Sequence, residues 1–351
     1  ADAYSLALPV PAQPGTLPSP LRVGIPDAAG LKFGGDTLSA AAFDTTLGDL
    51  REVLGTAKLA SVDMTPMFDV AALLYTGPWV AERYQAIREV IEKTPDALHP
   101  TTRDLRRAAD AIWDSIDVLV VPTYPRPRTL SDLTADPIGP NSELGTYTNF
   151  VNLLDLCALA VPGRFRSDGF PSGVTLIAPR GRDGLLAALG AHLHAAAGLK
   201  IGTSSTPVPE AAEGPARAAP GEMEIVVVGA HLTGMPLNHE LASRNARFLR
   251  ASPTTRDYRL YALPGDPPQR PGLLRVADGS GAAVATEVWA LTPETFGTFV
   301  SAIPAPLAIG TVRLADGTAP KGFTVEAEGI AGATDITGFG GWRAYIASLK
   351  G

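Results

Sequence analysis

The sequence predicts an α/β protein in two parts, a layered α/β portion followed by a smaller, β-rich α+β domain. Three observations carry that expectation. Across residues 21–197, strand-like and helix-like segments alternate, the pattern of strands layered with helices. Between 198 and 221 the stretch GLKIGTSSTPVPEAAEGPARAAPG loses its large apolar residues and fills with Pro, Ala, Gly and Ser, as a linker does. Beyond it, short strand-like runs separated by turn residues dominate. The expected division is 1–198, a linker at 199–222, and 223–351. A length of 351 residues accommodates two domains of about 100–200 residues each.

Taken in order, residues 1–20 hold five prolines and no helical period, and read as an extended lead-in over another surface. Residues 21–26 (LRVGIP) form a short strand ended by proline. Asp36 or Ser39 caps a helix to about Gly55, with Ala42, Phe43, Leu47, Leu50 and Leu54 on one face. A strand over 57–64 and a long helix over 66–93 follow. Thr101 or Thr102 opens another helix through Trp113, and 117–122 (DVLVVP) is a buried strand. The stretch 145–156 reads as helix, 173–179 (GVTLIAP) as strand, and 183–197 as an amphipathic helix. In the second part, 224–228, 258–263, 272–276, 283–291, 310–313 and 322–328 are strand-like, with helices at 293–300 and 342–349.

Composition excludes several functions. The hydrophobic share is 45% and mean hydropathy is +0.11, too apolar for a disordered chain. The 36 glycines and 32 prolines make up about a fifth of the chain against a usual share of about 12%. They follow no fixed spacing, so they punctuate short elements and build no repeat. A net charge of −7 argues against a nucleic-acid partner. No apolar run reaches about 18 residues and no signal-peptide pattern is present, so neither a membrane span nor export is expected. The lone Cys157 cannot pair internally, which fits a reducing, cytoplasmic setting, and beside Leu156 and Leu159 it reads as a small buried hydrophobe.

No metal site is expected. His192 and His194 would face different sides of a helix, and His231 and His239 have no ligand cluster at metal spacing. Three segments are more informative. In LLYTGPWVAER (73–83), Tyr75 and Arg83 lie about two helical turns apart and share a face. A phenol and a guanidinium so placed can clamp a planar carboxylate, or can be a core aromatic and a surface ion-pair arginine. In GTYTNFVNLLDLCALAVP (145–162), Tyr147, Thr148, Asn149 and Asn152 either orient a substrate amide or tie loops together. In VVVGAHLTGMPLN (226–238), an apolar strand ends at Gly229 and Ala230, where free backbone amides can receive an anion. His231 then sits at the mouth as an acid or base, or as a loop histidine without a role.

With these residues in view, DVLVVPTYP through GPNSELGTYTNFVNLLDLCALAVP to FPSGVTLIAP resembles the C-terminal part of the amidase signature family. LLYTGPWVAER points more narrowly to allophanate hydrolases. Residues 224–351, with VVVGAHLTGMPLN, TRDYRLYALPG, EVWALTPETFG and GATDITGFGGWRAYI, are similar to the C-terminal domain of those enzymes. The resemblance implies an amidase-like layered α/β portion followed by a domain like the γ-glutamylcyclotransferase fold. It implies hydrolysis of allophanate (urea-1-carboxylate) to ammonia and carbon dioxide in urea or s-triazine breakdown, without a cofactor. It also implies a homodimer and association with a urea carboxylase.

Amidase signature enzymes use a Lys–Ser–Ser arrangement in which a serine attacks the amide carbon. No Gly-Ser-Ser-Gly-type segment occurs here, and the family places these residues upstream of Ala1. Residues 1–351 are thus expected to be the C-terminal portion of a longer polypeptide. Tyr75 and Arg83 match the family's substrate-carboxylate contacts. In cyclotransferase-like enzymes a catalytic glutamate stands where FVSAIP (299–304) has no acid. The family instead implies action of the second domain on N-carboxycarbamate, with His231 as the catalytic candidate. Gly229, Ala230 and Asn238 are the substrate contacts expected beside it, with Tyr258 and Glu326 as lesser neighbours. The competing readings are a non-catalytic oligomerisation or docking domain, and an amidase for another small carboxylated amide.

Overall fold

The computed structural model describes residues 17–55, 59–76, 107–202, 204–208, 216–265 and 269–349, with 73–76 described by their backbone. The chain separates into two compact units, one spanning Leu21–Ala211 and the other Ala212–Gly351, the latter grouping with residues 17–20.

In the first unit, β1 (Val23–Pro26), β2 (Leu59–Val62) and β3 (Val118–Pro122) run parallel. Helix α1 (Thr37–Leu54) links β1 to β2. Asp36 starts it by accepting from the amides of Leu38 (3.0 Å) and Ser39 (3.1 Å), two of the donors that a helix start leaves free. Phe43, Leu47 and Leu50 form its buried stripe. Gly55 closes the helix at φ +62°, a backbone that residues with a Cβ resist. Helix α2 (Thr65–Thr76) covers the start of the helix expected at 66–93, whose remainder lies outside the described residues. Residues 107–110 are helical and lead into a 3₁₀ turn, Ala111–Asp114. Short helices α3 (Leu130–Ala135), α4 (Gly139–Leu144) and α5 (Asn149–Leu153) follow β3. The sheet, in the order β2-β1-β3-β5-β4, is completed by antiparallel β4 (Leu156–Pro162) and β5 (Gly173–Pro179). Helix α6 (Asp183–Ala196) turns Leu186, Leu189 and Leu193 inward.

The stretch 145–156 is not one helix: α5 ends at Leu153, Asp155 takes φ +56°, and LCALAVP continues as β4. A continuous apolar run does not distinguish buried helix from buried strand, and full pairing along β5 decides it. The polar cluster before it serves the fold at one position at least. Tyr147 is fully buried, and its hydroxyl accepts from the Lys32 amide (2.5 Å) and donates to the Gly30 carbonyl (3.2 Å).

The second unit holds a five-stranded sheet in the order β11-β12-β6-β10-β7 and a three-stranded sheet, β13-β8-β9. Its elements are β6 (Met223–Val227), α7 (Asn238–Ala242), β7 (Arg247–Ala251), β8 (Tyr258–Ala262), β9 (Pro271–Arg275) and β10 (Glu287–Leu291). Then come α8 (Pro293–Ser301), β11 (Leu307–Thr311), β12 (Lys321–Val325), β13 (Thr334–Asp335) and α9 (Trp342–Ser348). Ile225, Val227, Leu260, Val288, Trp289, Phe299 and Trp342 lie in one buried cluster. Strand β7 went unread in the sequence because Arg247 and Arg250 interrupt its apolar run. Arg250 is nonetheless buried, and it is paired with Glu224 (2.9 Å) and Asp316 (2.7 Å), which is what permits a guanidinium to be buried on this edge strand. No described helix is long and apolar enough to cross a membrane.

Candidate functional site

A cavity of about 170 Å³ opens at the C-terminal end of β6. Val228, Gly229, Ala230 and His231 line it as the strand becomes a loop, and Phe299, Ile303 and Pro304 line it from α8 and the turn after it. Arg270, Pro271, Leu307, Phe323 and Glu240 complete most of the wall. Largely apolar walls with a few converging polar groups make a small-ligand site.

The His231 ring packs in a triangle with two phenyl groups. Phe299 meets it edge-on at 5.0 Å and Phe323 stacks on it at 5.2 Å. Its Nε2 is 3.2 Å from Glu240 Oε2 on α7. Burial lowers its pKa below the ordinary histidine value, and the hydrogen bond and charge of Glu240 oppose that shift. An imidazole so placed is neutral over much of the near-neutral range and becomes a proton donor when an anion enters beside it.

The loop geometry explains the neighbouring residues. Leu232 N–H donates to the Gly229 carbonyl (3.0 Å) and Leu237 N–H to the Ala230 carbonyl (2.8 Å), folding residues 229–237 back on themselves. Among the described residues, the amides of Gly229, Ala230 and His231 have no protein acceptor, so they remain available to an anion. Gly229 is there for a reason of space: a Cβ would stand 2.4 Å from the Pro271 ring. Asn238 does not line the cavity. Its side-chain amide donates to the His231 carbonyl (2.8 Å) and holds the loop shut.

Tyr258 and Glu326 also stand apart from the cavity wall. Tyr258 is fully buried, its hydroxyl accepting from the Arg313 amide (2.9 Å), and Glu326 precedes a 3₁₀ turn, Ala327–Ile330. The Tyr75 side chain and Arg83 lie outside the described residues. Among the described residues, no cluster of three or more His, Cys, Asp or Glu side chains could hold a metal ion.

Sequence reading missed two carboxylates. Glu240, on α7, lines the same cavity as Phe299, Ile303 and Pro304 of the FVSAIP stretch. Glu287, at the head of β10, is buried beneath the loop. It accepts from the Thr233 amide (2.9 Å), the Thr233 hydroxyl (3.0 Å) and Trp289 Nε1 (3.1 Å), and pairs with Arg343 (2.5 Å). Arg343 also donates to the Thr233 carbonyl (2.6 Å), so the loop carrying His231 is clamped through one residue. The available signal was an acid heading an otherwise apolar strand, EVWAL.

The family profile of the allophanate hydrolase C-terminal domain matches residues 223–347, and that of amidases matches 93–187. Urea amidolyase of Saccharomyces cerevisiae is 37% identical over 84% of this chain, which spans 18% of that protein. Urea amidolyase of Lachancea kluyveri is 36% identical over 99% of this chain, which spans 21% of it. The solved allophanate hydrolase of Kluyveromyces lactis is 33% identical, with a TM-score of 0.54, and the match covers 96% of this chain and 60% of that one. The chain thus spans about a fifth of the urea amidolyases it matches and three-fifths of that hydrolase. Two families are thus matched in succession, the amidases over 93–187 and the allophanate hydrolase C-terminal domain over 223–347.

Proposed function

We propose that the chain is part of an allophanate hydrolase, and that its second domain completes the reaction. The domain limits of this reading are 1–198, 199–222 and 223–351. In the amidase part, Tyr75 and Arg83 hold the carboxylate of allophanate while its amide is cleaved, with Arg83 able to bind in bidentate fashion. The product, N-carboxycarbamate, passes to the second domain. There the 229–231 amides receive one carboxylate, and His231 donates a proton to the nitrogen as the C–N bond to the other carboxylate breaks. Carbon dioxide and carbamate leave, and carbamate then falls apart to ammonia and a second carbon dioxide. The protein is proposed to be a cytoplasmic homodimer that associates with a urea carboxylase and serves urea or s-triazine breakdown.

The observation that carries this reading is a histidine held by a carboxylate in a cavity of about 170 Å³, in a loop whose three backbone amides at 229–231 have no acceptor among the described residues. The test is His231→Ala in the complete enzyme, with ammonia and carbon dioxide followed in parallel after rapid mixing. The first ammonia should be released at nearly the parental rate, and carbon dioxide should lag toward uncatalysed decay. An unchanged interval between the two products would make the second domain a docking or oligomerisation module.

A further inference from the structure

A dianion such as N-carboxycarbamate needs more positive charge than a neutral imidazole and backbone amides provide. The charged groups around His231 come from two segments. On and just after α7 are Glu240, His239 and Arg244, and next to β9 is Arg270. Glu240 is engaged with His231, and Arg244 donates to the Glu240 carbonyl (2.8 Å) and lies over the Phe299 ring. From α8 and β12 the ring is faced by phenyl groups. Arg270 therefore stands alone as a cavity-lining arginine, with no ion-pair partner among the described residues.

Its backbone is fixed at that position. The Pro271 ring packs into the space left by the missing Gly229 side chain, and the Leu263 amide donates to the Arg270 carbonyl (3.0 Å). Arg270 and residues 229–231 thus line one cavity, whose size suits a ligand much smaller than a drug molecule.

We infer that Arg270 selects a dicarboxylate in this cavity, pairing with one carboxylate while the 229–231 amides receive the other. The inference rests on reading the cavity as the site of the second step. Malonate is the stable probe, because it replaces the bridging N–H of N-carboxycarbamate with a methylene and keeps both carboxylates. Binding is read in the 351-residue chain at the His231 imidazole NMR signals, identified by their loss in His231→Ala, so that malonate held elsewhere does not register. The parental chain should bind malonate and gain protonation of His231 on doing so. Arg270→Ala should bind it about tenfold more weakly or worse, the loss expected when a charge-assisted hydrogen bond is removed. Arg270→Lys should recover part of the affinity, because one ammonium cannot reproduce the fork. Arg270 is exposed, so the variants should keep the parental amide spectrum. Equal affinity in the parental chain and Arg270→Ala would overturn the role of Arg270 and leave the cavity reading standing. If malonate moves no His231 signal in the parental chain, the cavity reading itself fails and Arg270 falls with it.

Discussion

His231 and Glu240 define the chemistry at the scale of single residues. Burial holds the imidazole below its ordinary pKa, and Glu240 pulls it back up. The unfolded chain therefore takes up a proton on this residue at higher pH than the folded chain. The stability linked to it is present above the unfolded value and lost as pH falls through the folded pKa. Glu240→Gln removes the opposing charge, so the pKa should drop further, which an NMR titration of the imidazole measures directly. The proton-donating form would then be available only at lower pH, and the pH profile of carbon dioxide release should move toward acid with it. An unmoved titration midpoint would show that Glu240 is not what sets the ionisation of His231. Cys157 is the contrasting case, a residue whose environment silences it. Burial pushes its thiol up to about 11, its Sγ lies 3.3 Å from the Pro179 carbonyl, and little thiolate exists at neutral pH.

At the scale of elements, the cavity depends on how β6, β10 and α9 are tied together. Glu287 on β10 joins Thr233 of the loop after β6 to Arg343 of α9. A buried carboxylate with several donors is stabilising only while those donors remain. Glu287→Ala should leave Arg343, Trp289 and Thr233 short of partners and cost about 3–5 kcal/mol, the range for breaking a buried pair. Glu287→Gln keeps the shape and some of the hydrogen bonds and should cost less. Urea unfolding followed by tryptophan fluorescence measures both, and Trp289 reports from within the network itself. A loss for Glu287→Ala no larger than that of a surface substitution would mean the loop is held by its backbone hydrogen bonds alone. Helix α1 shows an element whose limits come from local chemistry: of the two caps the sequence offers, Asp36 starts it, and Gly55 ends it.

For the whole molecule, the two units supply different parts of one proposed reaction. The 351 residues contain no Gly-Ser-Ser-Gly-type segment to furnish an amidase serine. The chain alone should therefore not release ammonia from allophanate, and a coupled ammonia assay on purified chain checks this. Turnover that co-purifies with the chain through successive columns would require a nucleophile among its own residues.

Much of the molecule was determined by sequence alone. The alternation of strands and helices in 21–197, the composition change after 198 and the buried runs VLVVP and GVTLIAP follow from local chemistry: capping, periodicity and proline. The glycine at the end of β6 and the histidine after it were legible for the same reason, because an apolar strand that stops at Gly-Ala-His exposes its own turn. Other features were decided only by the tertiary structure. LCALAVP became a strand because β5 offered a paired edge, and β7 could hold Arg250 because Glu224 and Asp316 meet it there. Glu240, Arg270 and Phe299 reach the His231 cavity from separate segments of the chain. No local pattern records such a meeting, because close packing of distant segments, here Pro271 against Gly229, determines which side chains share a cavity.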